Sequence, residues 1–169
     1  MTYTSAQANK LLKKLNDEHT ALLDRESRSK DFRAAMGEDV ESLRPAYDYA
    51  DTQNRLAELE RRIRRVKHAI NIFNATHVIP DFAMTIDEML VYIPQLTQRK
   101  SKLADMKARL PKERVEEQYG RQSNIIDYTY ANYDLAAVEA DYEKTADELS
   151  RAQLALDAVN QRDTFELAE

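Results

Sequence analysis

The sequence predicts an all-α protein, built as an elongated antiparallel four-helix bundle or coiled coil in a single helical domain over residues 1–169. Two observations predict this class. Glycine occurs only twice and proline four times, a composition that favours long helices over sandwiches or barrels. Two long stretches also carry apolar residues at alternating steps of three and four, the heptad pattern of helices that pack side by side.

The first helix is predicted over residues 5–36. Thr4 can cap it, and Gln7 three residues later completes a capping box. Leucines and alanines then mark one apolar face, which weakens at the charged and serine-rich stretch 25–30. Gly37 is typical of a residue that ends a helix, and we place the helix end there.

The second helix is predicted over residues 51–76, with Asp51 as its cap. Pro80 follows its end and cannot continue a helix. Its heptad seam, called the first seam below, would form core or interface. The first seam consists of Leu56, Leu59, Ile63, Val66, Ile70 and Phe73.

The third helix is predicted over residues 85–110. Thr85 and Glu88 form a second capping box at its start, and Pro111 ends it. Pro94 lies about two turns inside the helix, so we expect a kink there without a break.

The fourth helix is predicted over residues 134–160, capped by Asp134. Before it, residues 112–124 are predicted as a loop and 125–130 as a short β-branched and aromatic strand. This helix carries the second seam, again predicted as core or interface. The second seam consists of Leu135, Val138, Tyr142, Leu149, Leu156 and Val159.

Tyrosines are predicted to gather at one end of the bundle, because short connections favour an up-and-down arrangement of helices. The strand around Tyr128 could pair there with the segment around Tyr47 as a small two-stranded ribbon. The cluster is either a recognition or stacking surface, or the filling between ribbon and helix ends, which we favour, or a contact between subunits of an oligomer. Its members are Tyr47, Tyr49, Tyr119, Tyr128, Tyr130 and Tyr133.

Basic residues on the second and third helices are candidates for contact with a polyanion. The alternative, which we favour, is that they flank the first seam and face the acidic fourth helix. A net charge of −5 provides no global attraction to nucleic acid or anionic lipid, so neither is expected as a partner. The candidates are Arg61, Arg62, Arg64, Arg65, Arg99 and Lys100.

No enzyme, metal site or cofactor is predicted. The three histidines, His19, His68 and His77, lack the paired spacing of metal ligands. Two glycines cannot build a phosphate-binding loop or a dinucleotide fingerprint. Cysteine is absent, the start of the chain lacks the apolar core of a signal peptide, and no apolar run approaches 18 residues. These features predict a cytoplasmic protein that does not enter membranes.

Several segments resemble a family of helical bacterial proteins, some of which are named septicolysin. The resemblance spans nearly the whole chain, and it implies a helical fold and, through the name, a membrane-active protein. It supplies no functional residues. The segments that carry it are Lys67-His-Ala-Ile-Asn71, Met84-Thr-Ile-Asp87, Leu90-Val-Tyr-Ile-Pro-Gln-Leu-Thr97, Arg109-Leu-Pro111, Tyr130-Ala-Asn-Tyr-Asp134 and Leu156-Asp-x-Val-Asn160.

Two matched seams offer more apolar edge than one helical hairpin needs, so we expect a homo-oligomer with the second and fourth helices at or near the interface. The leading hypothesis is a non-enzymatic cytoplasmic scaffold or protein-interaction protein that acts through its oligomeric surface and binds an unidentified protein partner. The alternatives are a membrane-active, cytolysin-like protein and a binder of polyanions or nucleic acid.

Overall fold

The computed structural model describes residues 1–115 and 126–167, and this part of the chain is mostly helical, as the sequence predicts. The arrangement of the helices as a four-helix bundle stays a prediction. The described helices are α1 (Ser5–Ser29), α2 (Val40–Leu43), α3 (Tyr49–Thr76), α4 (Ile86–Lys107) and α5 (Leu135–Arg162), with a 3₁₀ turn at Pro80–Phe82. The strands are β1 (Thr2–Thr4), β2 (Val78–Ile79), β3 (Met84–Thr85), β4 (Lys112–Arg114), β5 (Tyr128–Tyr130) and β6 (Thr164–Glu166).

The strands pair as three separate antiparallel ribbons of two strands each within the described residues. β1 pairs with β6, β2 with β3, and β4 with β5. The chain divides into two compact units. The first unit contains Met1–His77 and the chain from Ala158 onward, and the second contains Val78–Asp157.

In the first unit, α1 packs against α3. The two helices run antiparallel, since Glu26 near the end of α1 accepts a hydrogen bond from Gln53 near the start of α3. Their contact buries apolar side chains from both helices and, beyond β6, Leu167. The buried cluster consists of Ala8, Leu15, Val66, Ile70 and Leu167.

In the second unit, polar contacts join α4 to α5. Lys107 Nζ lies 2.8 Å from Glu139 Oε1, and this hydrogen bond lowers the pKa of Glu139 and raises that of Lys107. The Tyr92 hydroxyl donates to Glu148 Oε1. Because the later residue of α4 contacts the earlier residue of α5, the two helices are antiparallel. Pro94 lies inside a continuous α4, so the predicted absence of a break is confirmed.

The first helix is shorter than predicted, because α1 ends at Ser29 and not at residue 36. The stretch 25–30 offers no apolar side chain to bury, and a helix needs such burial to persist in water. Residues up to 36 lie outside the helix, and Met36 is fully exposed. α3 begins two residues before the predicted start, because the side chain of Asp48, and not that of Asp51, caps it by accepting from the Asp51 backbone.

The predicted ribbon between the segments around Tyr47 and Tyr128 is wrong. β5 pairs with β4, in the register Lys112↔Tyr130 and Arg114↔Tyr128, so part of the predicted 112–124 loop is a strand. A partner close in sequence costs less loop-closure entropy than one about 80 residues away. Asp48 beside Tyr47 is instead committed to capping α3. Of the predicted strand 125–130, residues 126 and 127 are not strand and residue 125 lies outside the described residues.

Candidate functional site

Both seams lie mainly in the interior of the chain. Leu56, Val66, Ile70 and Phe73 of the first seam are buried, and Leu59 and Ile63 are half-buried. In the second seam Val138, Leu149, Leu156 and Val159 are buried, and Leu135 and Tyr142 are half-buried. Packing within a single chain therefore covers most of these side chains, as expected for residues of a hydrophobic core. Their role at an interface between chains stays a prediction.

The predicted tyrosines have different environments. The Tyr47 hydroxyl donates to Glu26 Oε1 at 2.7 Å, and the same oxygen accepts from Gln53 Nε2 at 2.7 Å. The hydrogen bond to the carboxylate, together with desolvation, raises the pKa of Tyr47 to about 12. Tyr49 is exposed. Tyr47 is thus a structural link between α1 and α3.

The structure brings two further tyrosines together on β5. Tyr128 and Tyr130 are exposed, and their ring centroids lie 6.5 Å apart. Lys112 Nζ lies 4.0 Å from the centroid of Tyr128 and 5.4 Å from that of Tyr130, a cation–π contact across the ribbon. The Tyr133 hydroxyl donates to the Met106 carbonyl at 2.9 Å. Tyr119 lies outside the described residues.

The basic residues of α3 have acidic neighbours on their own helix. Arg61 contacts Glu58 at 2.8 Å and Arg64 contacts Glu60 at 3.8 Å, both as exposed pairs one turn apart. On α4, Arg99 is exposed, and Lys100 Nζ lies 5.9 Å from the centroid of the Tyr142 ring. The remaining candidates, Arg62 and Arg65, are exposed on α3.

An aromatic stack that the sequence analysis missed lies at the end of α3. The Phe73 ring stacks on Phe165 of β6 at 4.7 Å between centroids and on His77 at 4.6 Å. His77 Nε2 lies 2.6 Å from Asp163 Oδ2. The spacing of Phe73 and His77, one helical turn, was a signal for their contact. Nothing in the sequence placed Phe165 and Asp163 beside them.

Next to this stack lies an open groove of about 540 Å³, called the α3–β6 groove below. Its size is within the range of sites that hold a ligand or a peptide segment. Its lining combines apolar side chains, among them Ile72, which is 50% exposed, with the charged side chains of Arg65 and Glu166. The lining residues are Arg65, His68, Ala69, Ile72, Phe73, Thr76, Phe165 and Glu166.

The hydroxyl that lines the α3–β6 groove, Thr76 Oγ1, donates to the Ile72 carbonyl of its own helix at 2.8 Å. Residues 1–115 and 126–167 contain no group of three or more His, Cys, Asp or Glu side chains placed to hold a metal ion. Over the same residues, no helix has the length and apolar character needed to cross a membrane.

Comparisons with known proteins provide information about the fold of this chain. No family model matches the sequence, and no curated protein matches it. The chain is similar to a solved structure, the crystal structure of a functionally unknown conserved protein from Corynebacterium diphtheriae. The match has a TM-score of 0.59 and 16% sequence identity, and it covers 98% of this chain and 100% of the other. At this identity the likeness shows a shared fold, and it does not point to a function.

Proposed function

We propose that this chain is a non-enzymatic protein-interaction protein of the cytoplasm, an oligomeric scaffold built on a four-helix bundle. The observation that carries the proposal is the α3–β6 groove. It combines the exposed Ile72 and the half-buried Phe165 with the charged side chains of Arg65 and Glu166. Apolar side chains combined with charged ones are the usual composition of a protein interface.

Self-association is tested by light scattering on the full chain after size-exclusion chromatography, across the micromolar range. A monomer has a mass of 19.6 kDa, and we expect a larger particle whose share grows with concentration. Ile72→Asp, which places a charge in the groove, should shift the particle towards the monomer. Leu90→Asp is the matched control, since Leu90 is 48% exposed on α4. A wild-type chain that stays monomeric throughout this range contradicts the proposal.

A second candidate is binding of a polyanion. The observation that favours it is the face of the β4–β5 ribbon on which Lys112 and Arg114 stand opposite the exposed Tyr130 and Tyr128. Basic side chains beside aromatic rings suit single-stranded nucleic acid. Fluorescence anisotropy with a labelled oligonucleotide must then show binding that weakens as salt increases and that is lost in the double variant Tyr128→Ser, Tyr130→Ser.

A third candidate rests on the resemblance to the septicolysin-like family, which implies a membrane-active protein. Release of a dye from liposomes is the test. The absence of both leakage and lipid binding, from acid to neutral pH, removes this candidate.

A further inference from the structure

The β1–β6 ribbon has two edges, and their backbone groups follow from the register. The Leu167 N–H donates to the Met1 carbonyl at 3.0 Å, and the Met1 amino group donates back at 3.4 Å. Hydrogen-bonded pairs alternate along an antiparallel ladder, so Tyr3 and Phe165 form the next such pair. The N–H and C=O groups of Thr164 and Glu166 therefore point away from β1, along the outer edge of β6.

The outer edge of β1 is partly occupied. The Thr4 N–H, which points outward in this register, donates to Gln7 Oε1 at 3.0 Å as part of the α1 capping box. No other described strand pairs with β6. Of the two edges, the edge of β6 is consequently the one that offers a row of donors and acceptors to another strand.

α3 supports this edge. Phe165 stacks on Phe73, while Leu167 packs in the same cluster as Val66, so β6 runs antiparallel to α3. The α3–β6 groove, with Ile72 exposed in it, lies along the pair. A strand added to β6 would place its side chains in a prepared apolar groove, the arrangement by which extended segments join an existing sheet edge.

We propose that the occupant is β6 of a second copy of this chain, paired antiparallel about a two-fold axis at Phe165. This inference rests on the proposed self-association and names its surface. Pairing on the axis makes Thr164 and Glu166 of the two copies hydrogen-bonded partners in both directions. Two ribbons become one four-stranded sheet, in the order β1–β6–β6–β1. A sheet of four strands is more stable than a single ribbon of three-residue strands.

The charge pattern of β6 favours its own copy as the partner. A two-fold interface brings residues near the axis against themselves, so those residues must not be charged. Phe165 lies on the axis, and its ring stacks on the uncharged Phe73. Glu166 faces the neutral Thr164 of the other copy, and no like charges meet directly across the pair. Two Phe165 side chains then stand in a close, non-hydrogen-bonded pair, which extends the aromatic stack across the axis.

A cross-linking experiment tests the register, because the chain contains no cysteine. In the single variant Phe165→Cys the two thiols stand directly opposite each other in the proposed dimer, and diamide should oxidise them to a disulfide. Glu166→Cys is the matched control, since each thiol then faces Thr164 and lies too far from its counterpart. We expect a covalent dimer from Phe165→Cys and little or none from Glu166→Cys. Equal yields from both variants overturn the register.

A second measurement leaves Phe165 in place and changes the outer edge of β6. Glu166→Pro removes an outward N–H, and we expect the dissociation constant of the dimer to rise at least tenfold by the same light-scattering assay. Thr2→Pro makes the equivalent change on the outer edge of β1. It should leave the dimer unchanged, and circular dichroism verifies that each variant is folded.

The two proposals fail in different ways. If the wild type is an oligomer but neither Glu166→Pro nor Phe165→Cys behaves as described, this inference is wrong and the scaffold proposal stands. A wild type that remains monomeric contradicts both proposals. A monomer whose β6 edge binds a synthetic extended peptide, with loss of binding in Glu166→Pro, also overturns the second copy as the occupant.

Discussion

Two isoleucines two positions apart on α3 have opposite environments. Ile70 is 6% exposed within the core cluster of the first unit, whereas Ile72 is 50% exposed in the α3–β6 groove. The same substitution at both positions removes the same atoms, so it compares the effect of a buried side chain with that of an exposed one.

We expect Ile70→Ala to lower the free energy of unfolding by about 2–5 kcal/mol, because it removes buried methyl groups and leaves a cavity. Ile72→Ala should change the stability of the monomer by no more than about 0.5 kcal/mol. Urea denaturation at the lowest workable protein concentration measures both. Similar losses in the two variants would show that the two side chains are not in different environments.

Tyr47 provides a spectroscopic readout of the contact between α1 and α3. Its pKa is raised to about 12 by the hydrogen bond to Glu26, above the ordinary value of 10.0. Because the raised pKa belongs to the folded state, the phenol stabilises the fold below the ordinary value, and this contribution is lost as the pH rises through about 12. Ultraviolet titration should show late-ionising tyrosines, and Tyr47→Phe should remove one of them while leaving Tyr92, whose pKa is also raised by its hydrogen bond to Glu148. Tyr49→Phe, which changes an exposed neighbour, should retain both.

At the scale of elements, α1 and α4 begin with the same capping motif, formed by different residues. Both have a capping box, with Thr4 and Gln7 in α1 and with Thr85 and Glu88 in α4. The Glu88 carboxylate accepts from the Thr85 backbone at 2.7 Å and from its hydroxyl at 3.0 Å. These hydrogen bonds lower the pKa of Glu88, and the one from the Thr85 backbone has the larger effect. The α1 box contains no group that titrates in acid.

The start of α4 should accordingly be sensitive to acid. A lowered folded-state pKa means that Glu88 contributes stability above its ordinary range and that this contribution is lost as the pH falls through the folded value. Glu88→Gln keeps the box and should reduce the loss of thermal stability between neutral and acid pH. Gln7→Glu is the reciprocal variant and should increase it. An unchanged acid dependence in both variants would count against a role for the boxes.

The elements that could be predicted from the sequence are those with several local signals in agreement. α4 begins where Thr85, Glu88 and an apolar periodicity coincide, and the second seam matches the buried face of α5. The ribbons could not be predicted in this way. β1 and β6 have three residues each and are 160 residues apart, so neither contains a period long enough to detect. The first helix was predicted too long because Gly37 was a stronger signal than the loss of its apolar face.

At the scale of the whole molecule, self-association must also affect stability. A partner that binds only the folded chain adds free energy of unfolding in proportion to the logarithm of its concentration. We expect the melting temperature to rise with protein concentration in calorimetry, and to rise less in Ile72→Asp. A melting temperature independent of concentration, in a reversible transition, would argue against an oligomer in the range tested.

The candidate site could not be found from the sequence, because it combines distant parts of the chain. Arg65 and Ile72 belong to residues predicted correctly as helix, and Arg65 was already a candidate for binding. Their partners Phe165 and Glu166 lie beyond the last predicted helix, which ends at residue 160. A groove arises from the packing of these residues against α3, which no local pattern encodes.

The position of Leu167 in the core has a consequence for biosynthesis. This side chain is 4% exposed and belongs to the same cluster as Ala8 and Leu15. A ribosome releases those two residues more than 150 positions before it releases Leu167. α1 and α3 can associate early, but their shared apolar surface stays open on one side until Leu167 has been translated. The nascent hairpin therefore exposes apolar surface, which favours aggregation, until β6 pairs with β1 and Leu167 completes the core.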